Sequence, residues 1–211
     1  IMSSSAGITC VSSTANVSRS RFSANQGSAI VLMRHSQLQL AHSAIQGNYA
    51  CDQANLNCAD SAGIVIRSAS TAVIRMTLCA RNRGGISAGA IVVTDASSVL
   101  MAESLTVLSN SGMSDTDNVP TTGGLGVIAQ ATAVIRNSTF DNNLGTSSES
   151  VAGAVLVADA SLRVEKSHFY FNMIQGKPRL SSSGAGGIHS HSSKVTILDS
   201  HFASNNFTGN N

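Results

Sequence analysis

Charge is scarce in this chain. Asp, Glu, Lys and Arg make up 11% of its 211 residues, the formal net charge is +2, and there is no basic run or aromatic–basic patch. That composition argues against nucleic-acid binding. No apolar stretch approaches the length of a membrane-spanning helix. No secretory signal is visible. Residue 1 is Ile and the chain starts and stops inside a repeating pattern, so it reads as a processed product or a segment of a longer chain. Four cysteines are few for a disulfide-built scaffold. The 42% hydrophobic content excludes a disordered chain and suits one domain, residues 1–211, with a real core.

In place of charge there is repetition. A small-residue opening with an aliphatic recurs seven times: Ala6-Gly7-Ile8, Ser28-Ala29-Ile30, Ala62-Gly63-Ile64, Gly89-Ala90-Ile91, Gly124-Leu125-Gly126, Gly153-Ala154-Val155 and Gly186-Gly187-Ile188. Fourteen or fifteen residues on comes a second apolar anchor: Phe22, Ile45, Cys79, Leu105, Phe140, Phe169 and Phe202. Three residues later stand Asn25, Asn48, Asn82, Leu108, Asn143, Asn172 and Asn205. Five residues before the anchor an aliphatic recurs, Leu100 in the fourth copy and Ile135 in the fifth, and two before it a Ser or Thr, replaced by Glu103 in the fourth. Two residues past the opening aliphatic stand further apolar residues, among them Cys10, Leu32, Ile66, Val93, Ile128 and Val157.

Apolar residues in period-two pairs mean short β-strands, whose side chains alternate between faces. Three strands per turn, two small corners and one variable loop predict a right-handed parallel β-helix of about seven coils. Equivalent residues then stack about 4.8 Å apart, giving a rod roughly 34 Å long. The Asn column reads as an internal ladder that satisfies the polar groups of a bend. Insertions fall at one corner, in the loops Tyr49–Gly63, Ser109–Leu125, Leu144–Ala154 and Met173–Gly187, which carry both prolines, Pro120 and Pro178.

Cys10 and Cys79 fall on inward columns and read as small buried hydrophobes. Cys51 and Cys58 share one loop, where a disulfide is expected; a zinc site is the rival, although that loop holds no His or third Cys. The sequons at Asn16, Asn137 and Asn206 all map outward on the coil, where a glycan must sit. If occupied, they place the protein on a eukaryotic secretory route.

The residues after the opening aliphatics include Val31, Val65, Val92, Val127 and Leu156, an outward apolar stripe. A contiguous stripe requires cover. The two candidates are the long loops folding back over it and another protein chain, or a neighbouring domain, packing against it. Ice binding would want ordered Thr rows, which are missing.

The opening small residues and the Phe-x-x-Asn close resemble the repeats of chlamydial-type polymorphic outer-membrane proteins and of large surface proteins of algae and other protists. Ala88-Gly89-Ala90-Ile91, Gly186-Gly187-Ile188, Phe140-Asp141-Asn142-Asn143, Phe169-Tyr170-Phe171-Asn172 and Phe202-Ala203-Ser204-Asn205 carry the resemblance, which covers essentially the whole chain. It implies a right-handed β-helix in an extracellular, cell-surface adhesive or structural protein. It identifies a repeat, and fold alone does not fix an activity.

The enzymatic alternative is a polysaccharide lyase or hydrolase, or a carbohydrate-binding module. Its best pair of carboxylates is Asp95 and Asp159, at equivalent corners two coils apart with Gln130 between them. Corner Asp has a turn role of its own, and the Asp-Asp, Gly-His-Gly and Arg-Ile-Lys patterns of pectin-degrading enzymes are missing. His189 with His191, and Asp115 with Asp117 and Asn118, are the metal candidates, each read as solvated surface. The expectation is a non-enzymatic structural or adhesive glycoprotein with no catalytic residues, metal or cofactor. Its partners are other protein chains or further coils of the same chain, with carbohydrate a further candidate.

Overall fold

A computed structural model describes residues 6–50, 59–84, 87–113, 121–146, 151–176 and 184–209. The chain winds as a parallel β-solenoid. Three seven-stranded sheets run through the described coils, and each strand pairs with its equivalent in the adjacent coil or coils. The first face begins with Ile8–Val11 and ends with Ile188–His191; the second runs from Thr14–Ser18 to Lys194–Leu198; the third from Arg21–Ser23 to His201–Ala203.

The register explains the core. Opening aliphatics stack in one column, Ile8 on Ile30, Ile64, Ile91, Leu125, Val155 and Ile188. Third-face anchors stack likewise, ending in Phe140, Phe169 and Phe202. The rings of this last trio lie nearly parallel, with centroids 5.0 and 4.5 Å apart. Burying each such side chain contributes about 1.5–3 kcal/mol, and the inward columns form one continuous cluster.

Corners are sharp. Between the second and third faces each coil turns on one residue in the left-handed region: Arg19, His42, Met76, Ser104, Asn137, Lys166 and Asp199. A second such residue precedes each ladder Asn, from Ala24 to Ser204. The small openings answer a different need. A Cβ on Gly89 would lie 2.6 Å from the Gly123 carbonyl oxygen and 2.7 Å from the Ser111 backbone, so only glycine lets these segments approach.

The fourth coil corrects the sequence reading. Its anchor is Val107, stacked between Cys79 and Phe140, and its ladder residue is Asn110. All seven ladder positions are therefore Asn. Leu105 occupies the Ser/Thr column, where its N–H donates to Ser138 Oγ at 3.1 Å. Ala102, not Leu100, stands between Ile74 and Ile135. The cause is the first corner. Thr14 follows Ile8 by six positions, but Val99 follows Ile91 by eight. From the start of the second face to the anchor the spacing is always eight. Packing compensates: Leu100 with Ala102 lies between Ala72 with Ile74 and Ala133 with Ile135, so large and small side chains interlock.

Two short ladders were not anticipated. Ser111–Met113, Leu144–Thr146, Met173–Gly176 and Asn206–Gly209 form a fourth sheet. Thr121–Thr122, Val151–Ala152 and Gly184–Ala185 form a fifth. They are the outgoing and returning arms of the variable insertions, which keep pairing coil on coil before the chain diverges.

Candidate functional site

The apolar stripe is covered within the chain. Val65, Val92 and Leu156 are at most 2% exposed and Val31 9%. Val31, Val65 and Val92 pack with Ala88, Ala6, Met33 and Ile128 into a second small cluster, and Ala88 belongs to the returning arm, bridged to Ser61 and Thr122. Val127 is corrected: it points into the main core, and Gly126 takes the outward position between Val92 and Leu156. Residue two past the opening in that coil is thus Val127 rather than Ile128. The stripe offers no free docking face.

The Asn ladder is the most developed polar array. The Asn82 main-chain N–H and its amide both donate to Asn110 Oδ1, at 2.9 and 3.0 Å. Asn110 repeats both bonds to Asn143 Oδ1 and also donates to the Cys79 carbonyl at 2.9 Å. The same pattern runs from Asn25 to Asn205. With every member from Asn48 to Asn172 buried, the array holds coils together and presents nothing to a ligand.

Asp95 and Asp159 sit exposed on corners, both in the left-handed region. The Asp95 carboxylate accepts the Ser68 N–H of the preceding coil at 3.0 Å and the Thr94 hydroxyl at 3.3 Å. The Asp159 carbonyl accepts the Gln130 N–H at 2.6 Å. Both residues therefore tie corners together. A shallow depression of about 560 Å³ lies elsewhere, where Arg19, Arg21 and His42 meet Met76. Its lining includes no carboxylate.

Asn16, Asn137 and Asn206 are exposed. Asn137 turns the corner after the second face, whereas Asn206 opens a fourth-sheet strand. Cys51 and Cys58 lie outside the described residues, as do Asp115, Asp117 and Asn118. Cys10 and Cys79 are buried free thiols; complete burial pushes Cys79 up to about 12. His189, half-buried and close to His191, is held below the ordinary histidine range, mainly by desolvation and then by its neighbour's charge. Among the described residues, no group of three or more His, Cys, Asp or Glu side chains could hold a metal.

Two surface arrays stand apart from these residues, and only the third-face column of His168 and His201 is legible from sequence spacing. On the second face Arg75, Glu103, Arg136 and Glu165 alternate in one column. Arg75 lies 3.7 Å from Glu103, Arg136 lies 2.9 Å from Glu165, and Arg163 reaches the other Glu165 oxygen. Hydrogen bonds from Arg136 and then Arg163 hold the Glu165 carboxyl down at about 2. Solvent screens exposed pairs of this kind, so they add little to stability. On the third face Tyr170 Oη lies 2.9 Å from His168 Nδ1, with the His201 ring 5.6 Å from Tyr170. Aligning copies by register, rather than by offset from the opening aliphatic, is the signal that reveals the charged column.

Comparison of the chain with known protein families, with curated proteins and with solved structures finds no match.

Proposed function

We propose that the chain is a non-enzymatic structural or adhesive β-solenoid of an extracellular surface assembly, glycosylated at one or more of Asn16, Asn137 and Asn206. The observation that carries this reading is the use made of the polar side chains. Buried Asn and Ser columns, and the corner carboxylate of Asp95, are committed to joining coil to coil. Such a rod is stabilised by nearest-neighbour contacts and suits load-bearing or display. The exposed sequons support the extracellular part, as does the resemblance to repeats of polymorphic outer-membrane proteins and of algal and protist surface proteins.

Glycopeptide mass spectrometry of native material, with antibody labelling of intact cells, tests the reading. Sugar on at least one sequon and surface label are expected. Three bare sequons with label only after permeabilisation overturn it. Cleavage of a polysaccharide that is lost in Asp95→Asn or Asp159→Asn would overturn the non-enzymatic part.

A further inference from the structure

Charge is unevenly divided along the chain. Residues 1–84 carry seven Arg, no Lys and two Asp, whereas residues 85–211 carry six Lys and Arg against nine Asp and Glu. The arginines are scattered in sequence and form no run, but winding collects several of them beside the third face. Arg19 and His42 hold consecutive corners on one edge of that face, and Arg21 stands on the face itself. Arg81 and Arg83 flank the ladder residue Asn82 on the other edge, with Arg83 bridged to Tyr49 of the preceding coil. All five cationic side chains are exposed. We propose that this strip binds a linear acidic polysaccharide, one carrying sulfate or carboxylate groups; the proposal deepens the adhesive reading above and rests on it.

The positive charge is unmatched. Among the described residues through Gly84, Asp60 is the one carboxylate side chain, and Arg67 holds it at 3.2 Å. No ion pair among the described residues involves Arg19, Arg21, Arg81 or Arg83. Arg21 Nε donates to the Gln46 carboxamide oxygen at 3.0 Å, a neutral partner that leaves the guanidinium charge in place. The depression of about 560 Å³ described above runs along this edge through four coils, from Arg19 to Thr106. The first carboxylate on the third face is Asp141, in the fifth coil. Cations gathered without counter-charges raise the local potential and concentrate anions.

The chemistry of the strip selects the ligand. Four of its five cations are Arg, whose planar fork meets a sulfate or carboxylate with paired N–H donors. Between the two edges the outward side chains are small or uncharged: Ser23, Ala44, Gln46, Leu78 and Ala80. They make a flat floor on which sugar rings can lie. A three-residue strand is about 10 Å long, room for one extended chain but not for a duplex. Strands and corners offer no helix or ribbon to enter a DNA groove. Among the described residues Tyr49 is the one exposed aromatic beside the strip, too few for the stacking platforms that hold single-stranded nucleic acid. These features favour an acidic polysaccharide over nucleic acid.

Binding of the 211-residue chain to immobilised dextran sulfate, polygalacturonate, neutral dextran and poly(dT), at about 0.15 M salt and above, tests this. Binding to one or both acidic polysaccharides is expected, weakening as salt rises, with none to neutral dextran. Dextran sulfate alone assigns the anion as sulfate, polygalacturonate alone as carboxylate, and both together as either. Replacing Arg21, Arg81 and Arg83 together by Gln should weaken binding by about tenfold, the sum of three exposed contacts of ordinary size. Replacing Arg136, Arg163 and Lys194 by Gln removes the same formal charge from the second face of the later coils and should leave affinity within about twofold, because screening confines the effect to nearby charges. Circular dichroism checks that both variants are folded. No binding to either acidic polysaccharide, equal loss in the two triple variants, or tighter binding to poly(dT) overturns the proposal. A chain that binds neither polymer but is glycosylated and surface-displayed refutes the strip while leaving the structural assignment standing. A chain that binds through these arginines but never reaches the surface refutes that assignment and leaves the strip.

Discussion

Replacing Asn110 with Leu removes one rung of the buried ladder while nearly preserving side-chain volume. Asn110 is 1% exposed. Its Oδ1 is the acceptor for both the Asn82 main-chain N–H and the Asn82 amide. Asn82 keeps its bond to the Ile45 carbonyl at 3.0 Å, so the substitution orphans two buried donors. At about 1–3 kcal/mol for each unsatisfied group, the cost is about 2–6 kcal/mol, a large part of the 5–15 kcal/mol that typically holds a domain together. Asn25→Leu is the internal comparison. Asn25 only donates to Asn48, so its loss orphans no donor and should cost about 1 kcal/mol. Gln39, exposed on the second face, is the neutral control: Gln39→Ala should stay within about 0.5 kcal/mol. Urea unfolding followed by circular dichroism gives all three from the midpoint and slope. A reduced slope for Asn110→Leu alone would show the rod splitting into separately melting halves, as nearest-neighbour coupling allows. If Asn110→Leu costs no more than Asn25→Leu, the ladder is not what joins the coils.

Two further predictions concern titrating groups. Cys79, pushed up to about 12 by burial, is a protonated thiol at pH 8, so mass-mapped alkylation should modify it only after the third coil opens; labelling of native protein at the rate of a free peptide thiol refutes its placement. Glu165 is held down at about 2 from an ordinary 4.5, so its ion pairs stabilise the fold above pH 4.5 and that contribution disappears as pH falls through about 2. Glu165→Gln should flatten the acid limb of the stability profile in that window, and an unchanged limb argues that the Arg136 and Arg163 contacts do not persist in solution.

The fold was legible because period-two apolar pairs and small openings are local signals, and each copy carries both. What misled was the unit of counting. The rigid element starts at the second face, so an offset measured from the opening aliphatic failed where the corner lengthened, and Leu100, Leu105 and Leu108 stood in for Ala102, Val107 and Asn110. Gly124-Leu125-Gly126 misled differently: with glycines on both sides of the aliphatic, Val127 was assigned outward although it points inward. The cover over Val92 was open from sequence, because it depends on where a loop returns, and a loop of variable length carries no period.

The ladder has one more property. Seven side-chain amides point the same way, each oxygen toward the first coil and one N–H toward the last. Their dipoles add along the axis, as peptide dipoles add in a helix, where each unit carries about 3.5 D. β-Sheets supply little net dipole of their own, so the buried amide column gives the solenoid an electrical axis, negative at the first coil and positive at the last. The cationic Arg19 lies near the negative pole and the anionic Asp199 near the positive one, so these two charges oppose the internal field. An array of such rods laid in parallel has a built-in direction that a charged neighbour senses before any contact forms.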